Sequence, residues 1–160
     1  MDTVAKDIKL SALLKEKYIS LDLEGEDKEA VFGELVDLAH ASGKLKNKKA
    51  CLEALVERER MGSTAIGNGV AIPHAKIAGL KEPVLVFGRS PGGVDFNSLD
   101  GEKTHIFFMF VSPQENIGSH LKTLAKISHI IKDKFIVGLF RKAKNKAEIL
   151  KILTDTEKHL

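Results

Sequence analysis

The chain has 160 residues, of which 43% are hydrophobic and 29% are charged, a balance typical of a soluble globular protein with one domain. Its formal net charge of +3 is too small to argue for a nucleic-acid partner. No apolar run approaches the roughly 18 residues of a membrane-spanning helix, and no signal pattern opens the chain, so we predict no membrane insertion. The single cysteine, Cys51, excludes an internal disulfide and favours a reducing compartment, which predicts a cytoplasmic protein.

The first part of the chain predicts one strand followed by two helices. The segment YISLDL (residues 18–23) alternates apolar and polar residues, as a half-buried strand does. Asp27 is placed to cap a helix that ends at Gly43. Asn47 is placed to cap the next helix, which ends at Gly62.

The middle of the chain predicts a buried sheet. Three short apolar segments rich in β-forming residues are bounded by Gly, Pro or Asp-Gly: GVAIPH (69–74), PVLVFGR (83–89) and HIFFMFVSP (105–113). The unbroken apolarity of IFFMFV (106–111) predicts a central strand that is covered on both faces.

The last third of the chain predicts mainly helices. Ser119 is placed to cap one helix and Asn145 to cap another, whereas FIVGLF (135–140) fits either a strand or a helix. Helices that precede, separate and follow several strands predict an α/β sandwich. The order of the strands in the sheet cannot be deduced from these patterns.

Two of the six histidines are candidates for chemistry. Because Pro73 has no backbone donor, we expect a strand to end at or near His74, and strand ends line the ligand crevice of α/β folds. His120 falls near the first position of the helix that Ser119 would begin, where free N–H groups favour an anion. We interpret the others as structural, surface or terminal residues: His40, His105, His129 and His159.

Arg58, which closes a helix just before the sequence MGST, suits bidentate phosphate binding. Ser63 and Thr64 can donate hydroxyl groups to an anion or bond the turn, and Glu59 is interpreted as a solvated or ion-paired helix residue. The sequence has no metal-ligand cluster, no GxSxG elbow and no phosphate-binding loop, so we predict neither a metal nor a cofactor. Whether Arg58 shares a site with the two candidate histidines stays open at this point.

The segment VERERMGSTAIGNGVAIPHAK (56–76) closely resembles the signature region of the fructose/mannitol-type (type 2) enzyme IIA family. This family belongs to the bacterial phosphoenolpyruvate-dependent sugar phosphotransferase system (PTS) and includes the nitrogen-regulatory enzyme IIA proteins. The segment LDGEKTHIFFMFVSPQENIGSHLKTLAKIS (99–128) resembles its second block. The likeness extends from about residue 10 to residue 153, so we expect a single enzyme IIA domain over residues 1–160 with that core. The resemblance implies an α/β sandwich with a mixed sheet, in agreement with the pattern of elements.

The resemblance also implies roles for individual residues. His74 matches the histidine that accepts a phosphoryl group, through Nε2, from the histidine phosphocarrier protein HPr. His120 matches the second active-site histidine, and Arg58 matches the arginine near it. Family members pass the group to a cysteine of a IIB domain or protein. Cys51 lies on the apolar stripe of a predicted helix and is interpreted instead as a buried structural thiol.

The chain departs from the family pattern at two positions. Ala75 stands where a glycine is common, which we expect to crowd a turn, and His105 stands at a strand position that is usually apolar. Neither change removes a reacting group. Three hypotheses follow: a transport phosphocarrier for a fructose- or mannitol-like sugar, a nitrogen-regulatory-type protein whose His74 phosphorylation controls binding to regulatory proteins, or an inert α/β protein.

Overall fold

The computed structural model describes residues 7–160, which form six α-helices and six strands. The helices are α1 (Leu10–Leu13), α2 (Lys28–Ala41), α3 (Lys48–Arg60), α4 (Ile117–Ile131), α5 (Lys134–Lys142) and α6 (Lys146–Glu157). The strands are β1 (Ile19–Ser20), β2 (Ala65–Gly67), β3 (Val70–Ala71), β4 (His74–Ile77), β5 (Val84–Val94) and β6 (Thr104–Pro113). The first six residues of the predicted domain lie outside the described part. Within residues 7–160, no helix has the length and apolar character that crossing a bilayer requires.

The strands form one mixed sheet with β6 at its centre. Its order is β1-β5-β6-β3-β2, and β4 also pairs with β6. Strand β5 runs antiparallel to β6 along one edge, while β3 and β4 run parallel to it, one after the other, along the opposite edge. Every residue from 106 to 111 is buried, which confirms the predicted central strand.

Helices cover both faces of this sheet. On one face, Phe140 of α5 packs edge-on against Phe108, with ring centroids 5.3 Å apart. On the other face, Phe96 packs against both Phe32 of α2 and Phe107, at 5.5 and 5.0 Å. Phe107 and Phe108 serve different layers because neighbouring residues of a strand point to opposite faces. The predicted α/β sandwich with a mixed sheet is therefore confirmed.

The predicted helix boundaries of α2, α3 and α6 follow from local hydrogen bonding. Asp27, Asn47 and Asn145 each accept a hydrogen bond from the backbone N–H three residues later, at 2.8 to 3.0 Å. Gly43 and Gly62 follow the ends of α2 and α3 with φ values of +80° and +148°, a region that favours glycine. These caps and ends confirm the predictions.

The segment YISLDL forms a shorter strand than its alternation predicts. Only Ile19 and Ser20 pair with β5. The side chain of Arg89 donates from Nε to the Leu21 carbonyl at 3.3 Å, so a guanidinium takes the place of a backbone donor. Leu23 returns to β5 through one bond, from its N–H to the Arg89 carbonyl at 2.9 Å. The strand therefore comprises two residues, and the Leu21 carbonyl that follows is bonded by a side chain instead of the ladder.

The ambiguous segment FIVGLF is helical and lies in α5. Asp133 caps the helix by accepting from the N–H groups of Phe135 and Ile136, at 2.9 and 3.4 Å. Val137 and Phe140, three residues apart, are the buried members of this helix and face the sheet side of the molecule. The cap and this spacing decide between the two predicted alternatives.

Gly88 lies where β5 passes close to the layer of α2. A Cβ at this position would stand 2.8 Å from methyl carbons of both Leu23 and Leu35, which are buried. We expect Gly88→Ala to lower the free energy of unfolding by about 1–3 kcal/mol through overpacking. Urea unfolding followed by circular dichroism measures this change.

Gly33→Ala is the matched control for Gly88→Ala. Gly33 lies in α2, and a Cβ there would meet no heavy atom within 4 Å. We expect this variant to be more stable than the wild type by about 0.5–1 kcal/mol, since alanine is the better helix former. A Gly88→Ala protein with unchanged stability would contradict the close packing.

Candidate functional site

The side of β6 that pairs with β3 and β4 is interrupted at Pro73, and this break places His74. Strand β3 stops at Ala71, and Pro73 has no N–H with which to continue the ladder. The Pro73 carbonyl still accepts from the N–H of Phe110 at 2.9 Å, and β4 begins at His74, which pairs with Phe110. The predicted strand end is thus displaced, and His74 opens a strand instead of closing one.

The imidazole of His74 is oriented by the chain just before it. Its Nδ1 lies 2.7 Å from the carbonyl oxygen of Ile72, which can only accept, so Nδ1 carries a proton and donates. Burial lowers the pKa of His74, the Ile72 hydrogen bond opposes this, the charge of Arg58 lowers the pKa further, and that of Glu59 raises it. A neutral ring with its proton on Nδ1 keeps its lone pair on Nε2, which is the form a nucleophile needs.

His120 lies deeper in α4 than its sequence position predicts. The helix begins at Ile117 with Asn116 as its N-cap residue, so the predicted Ser119 cap is wrong. The N–H of Asn116 bonds the Pro113 carbonyl at 3.1 Å, and this turn starts the helix early. The N–H of His120 then bonds the Asn116 carbonyl at 3.0 Å and is not free for an anion. Its side chain remains the group with which it can contact a ligand.

The imidazole of His120 is buried next to that of His74. His120 is 4% exposed, and the two ring centroids are 5.8 Å apart with 50° between the ring planes. The ring also packs against Phe110 at 5.3 Å, and its Nδ1 shares a 2.6 Å hydrogen bond with Oγ of Ser112. Burial, then repulsion by His74 when that ring is protonated and by Lys76, lowers the pKa of His120 to about 4. His120 is therefore neutral at physiological pH.

Arg58 joins the two histidines at one cavity. This guanidinium donates from Nη1 to the Gly62 carbonyl at 3.0 Å and so ties the last turn of α3 to the loop that follows. A cavity of about 470 Å³ is lined by Arg58, His74 and His120 together. The fold therefore brings together the three residues that sequence analysis singled out, and Arg58 both holds the loop and contributes positive charge.

Glu59 holds the loop that connects α3 to β2. Its side chain is 7% exposed and pairs with Lys28 of α2 at 2.8 Å. It also accepts from the backbone N–H and the hydroxyl of Thr64, at 3.1 and 2.7 Å. The hydroxyl of Ser63 donates to the Phe96 carbonyl at 2.6 Å. The Thr64 hydroxyl thus bonds locally, the Ser63 hydroxyl bonds a distant segment, and Glu59 is the ion-paired one of its two predicted alternatives.

Two further residues stand at the histidine pair, and sequence analysis did not single them out. Lys76 lies on β4 two residues after His74, which puts both on the same side of the strand, and it lines the same cavity. This spacing of two residues along a strand could have indicated Lys76 from the sequence. Ser112 had none, because its contact with His120 depends on how α4 packs against β6.

His105 and Cys51 lie away from the cavity, whereas Ala75 lines it between His74 and Lys76. The Nδ1 of His105 donates to the Ser90 carbonyl at 3.0 Å, and its ring lies 2.7 Å from where a Cβ on Gly93 would stand. Cys51 is buried, and burial raises the pKa of its thiol to about 12, which confirms a structural thiol. Ala75 lies inside β4 opposite Val111, so the expected crowding of a turn is wrong.

Comparison with known proteins identifies the family. The profile of the family described as "Phosphoenolpyruvate-dependent sugar phosphotransferase system, EIIA 2" matches residues 12–156. The chain belongs to this family. The resemblance drawn from the two sequence blocks is confirmed, and the family's general role in phosphotransfer applies to this chain.

This PTS IIA chain resembles both sugar-specific and nitrogen-regulatory relatives. The "PTS system fructose-specific EIIABC component" of Bacillus subtilis is 36% identical over 151 residues, 94% of this chain but only 24% of that longer protein. A "Nitrogen regulatory protein" of Bradyrhizobium diazoefficiens is 35% identical over 121 residues, 74% of this chain and 79% of the relative. The crystal structure of the nitrogen regulatory protein IIA-Ntr from Neisseria meningitidis superposes with a TM-score of 0.85 at 30% identity, covering 90% of this chain and 98% of that one.

Burial of His120 predicts a loss of stability in mild acid. Its pKa falls from 6.5 to about 4 on folding, so the unfolded chain binds this proton more readily. The free energy of unfolding should decrease as the pH falls from 6.5 to about 4, by at most about 3 kcal/mol from this residue. Urea unfolding at several pH values in this range should give a flatter dependence for His120→Gln than for the wild type. Equal slopes would contradict the buried neutral ring.

Proposed function

We propose that this chain is a phosphocarrier IIA component of the PTS. Nε2 of His74 would accept a phosphoryl group from phosphorylated HPr and pass it to a IIB cysteine for uptake of a fructose- or mannitol-like sugar. The observation that carries the proposal is the 2.7 Å hydrogen bond from His74 Nδ1 to Ile72, because it leaves the lone pair on Nε2. That ring lines a cavity together with Arg58 and His120.

The bonds that form and break in the proposed transfer involve only His74 and the phosphohistidine of HPr. The Nε2 lone pair of His74 forms the new N–P bond while the P–N bond to the phosphohistidine of HPr breaks, and that electron pair returns to the HPr ring. The His74 ring then carries a phosphoryl group on one nitrogen and a proton on the other. The Ile72 carbonyl, which accepts from Nδ1, stabilises the positive charge that this ring develops.

Three side chains that line the cavity with His74 would stabilise the phosphoryl oxygens. Arg58 and Lys76 bring permanent positive charge to the cavity, and neutral His120 has one N–H to donate. Because phosphoryl transfer proceeds mainly through positioning and charge stabilisation, this set supports the proposed reaction. The two cations attract the anion while both histidines remain uncharged.

The mouth of the cavity supports proteins as donor and acceptor. Two of its lining residues are large apolar side chains left open to solvent: Met61 is 80% exposed and Leu121 is 61% exposed. Exposed apolar groups around a charged site are typical of a protein-docking surface, and here they surround the histidine that must meet both HPr and a IIB partner.

A nitrogen-regulatory role is the second candidate. It is favoured by the named regulatory relatives, which match this chain over most of their own lengths. A phosphoryl group adds about −1.5 to −2 charges. This charge would change the affinity of the apolar rim, formed by Met61 and Leu121 at the mouth of the cavity, for a regulatory protein. Rapid transfer from phosphorylated chain to a purified fructose-type IIB favours transport. Absence of that transfer, together with binding of a kinase or transcription regulator that depends on phosphorylation, favours regulation.

Labelling tests the acceptor directly. Incubation with ³²P-phosphorylated HPr should label the wild type and leave His74→Ala unlabelled, because the nucleophilic nitrogen is gone. His129→Ala is the matched control, since His129 is exposed and lies outside the cavity, and it should label normally. Label that survives in His74→Ala would refute the assignment, and a wild type that HPr never labels would leave the inert α/β protein.

Rates of transfer test the other two residues. We expect His120→Ala to slow single-turnover transfer from HPr by about 100-fold while circular dichroism stays unchanged, since it removes a donor to the phosphoryl oxygens. Arg58→Lys should slow transfer on the order of 10-fold, because lysine keeps the charge and loses the planar fork. Quench-flow measurement gives both rates, and a wild-type rate in either variant would remove that residue from the reaction.

A further inference from the structure

We propose that Ser112 is a positioning residue that holds His120 with its proton on Nε2. The two histidines would then present opposite groups to one phosphoryl group, a lone pair from His74 and an N–H from His120. The role in transfer rests on the proposed function, whereas the position of the proton is a property of the unphosphorylated protein.

The contact between Ser112 and His120 is short and buried. Oγ of Ser112 lies 2.6 Å from Nδ1 of His120, and the two residues are 2% and 4% exposed. A buried hydroxyl and a buried imidazole both need their hydrogen-bonding groups satisfied. This one bond therefore decides where both protons go.

Counting donors and acceptors gives the direction of the bond. Within residues 7–160, Ser112 Oγ makes no other hydrogen bond than the one with His120. If the hydroxyl donates to Nδ1, its proton is satisfied and the neutral ring carries its own proton on Nε2. If Nδ1 donated instead, the hydroxyl proton would be buried without an acceptor, which is the costlier arrangement.

His74 is held the opposite way. Its Nδ1 donates to the Ile72 carbonyl, so its Nε2 has the lone pair. The ring centroids are 5.8 Å apart and both rings line one cavity, so a phosphoryl group on His74 lies beside His120. An N–H on His120 attracts the phosphoryl oxygens, whereas a second lone pair would repel them.

Ser112 is well placed to act on the ring because it belongs to the central strand. It lies on β6 opposite Lys76 of β4, and two residues before it Phe110 packs against the same imidazole. Phe110 and Ser112 share one face of the strand, so one fixes the plane of the ring and the other its hydrogen bond. Groups that orient a reacting side chain in this way are part of the site's preorganisation.

Nitrogen NMR of the unphosphorylated protein tests the tautomers. In long-range ¹H–¹⁵N spectra at neutral pH, we expect His120 to have a pyridine-type Nδ1 and a pyrrole-type Nε2, and His74 the reverse. In Ser112→Ala the His120 signals should move toward the average of two tautomers while those of His74 stay unchanged. Ser112→Thr, which keeps a hydroxyl, should restore the wild-type pattern. A protonated Nδ1 on His120 in the wild type, or an unchanged His120 in Ser112→Ala, would overturn the proposal.

Transfer rates test the link to the reaction. We expect Ser112→Ala to slow transfer from HPr on the order of 10-fold, with Ser112→Thr closer to the wild type. Because Ser112 acts through His120, adding Ser112→Ala to His120→Ala should cause no further loss, and a full additional loss would refute the positioning role. If HPr does not label the wild type, the proposed function fails while the NMR result stands. If labelling holds and the tautomers are reversed, only this inference fails.

Discussion

The parallel pairing of β4 with the central strand β6 determines where the groups of the candidate site stand. His74 lies opposite Phe110 in this ladder, and Lys76 lies opposite Ser112. The same two residues of β6 hold His120, one through ring packing and one through a hydrogen bond. A buried strand paired along both edges is rigid, so both histidines are positioned from one element, and a slip in register would separate them.

This arrangement separates positive charge from nucleophilicity. Burial lowers the pKa of both imidazoles and keeps them uncharged, which the proposed attack by His74 requires. Permanent positive charge comes from Arg58 and Lys76, which line the same cavity. The anionic group is then attracted without protonating the atom that would bind it.

The support for the site extends into the helices that surround it. Glu59 ties α3 to Lys28 of α2 and to Thr64 in the loop that follows, while Arg58 bonds the Gly62 carbonyl of the same loop. Two adjacent residues at the end of α3 thus have different contacts. Glu59 holds the loop, and Arg58 both bonds the loop and lines the cavity. Under either proposed role the site is the same, and what differs is the protein that docks on its apolar rim.

Local interactions explain what the sequence by itself determined. The caps Asp27, Asn47 and Asn145 bond the backbone within three residues, and the unbroken apolar run of β6 requires cover on both faces. The α/β class followed from such local signals, which also singled out His74, His120 and Arg58, and the two family-like blocks then implied their roles. The resemblance implied that these residues share a site, and the structure shows that they line one cavity.

Tertiary structure alone decided features that depend on residues distant in the chain. Strand order, the two-residue length of β1 and the break between β3 and β4 depend on partners in β5 and β6 that are remote in sequence. The hydrogen bond between Ser112 and His120 joins the sheet to a helix packed on it, so neither residue type nor spacing predicts it. Sequence patterns encode the bonds that a segment makes with itself, whereas a site assembled from two strands and two helices is encoded only through their packing.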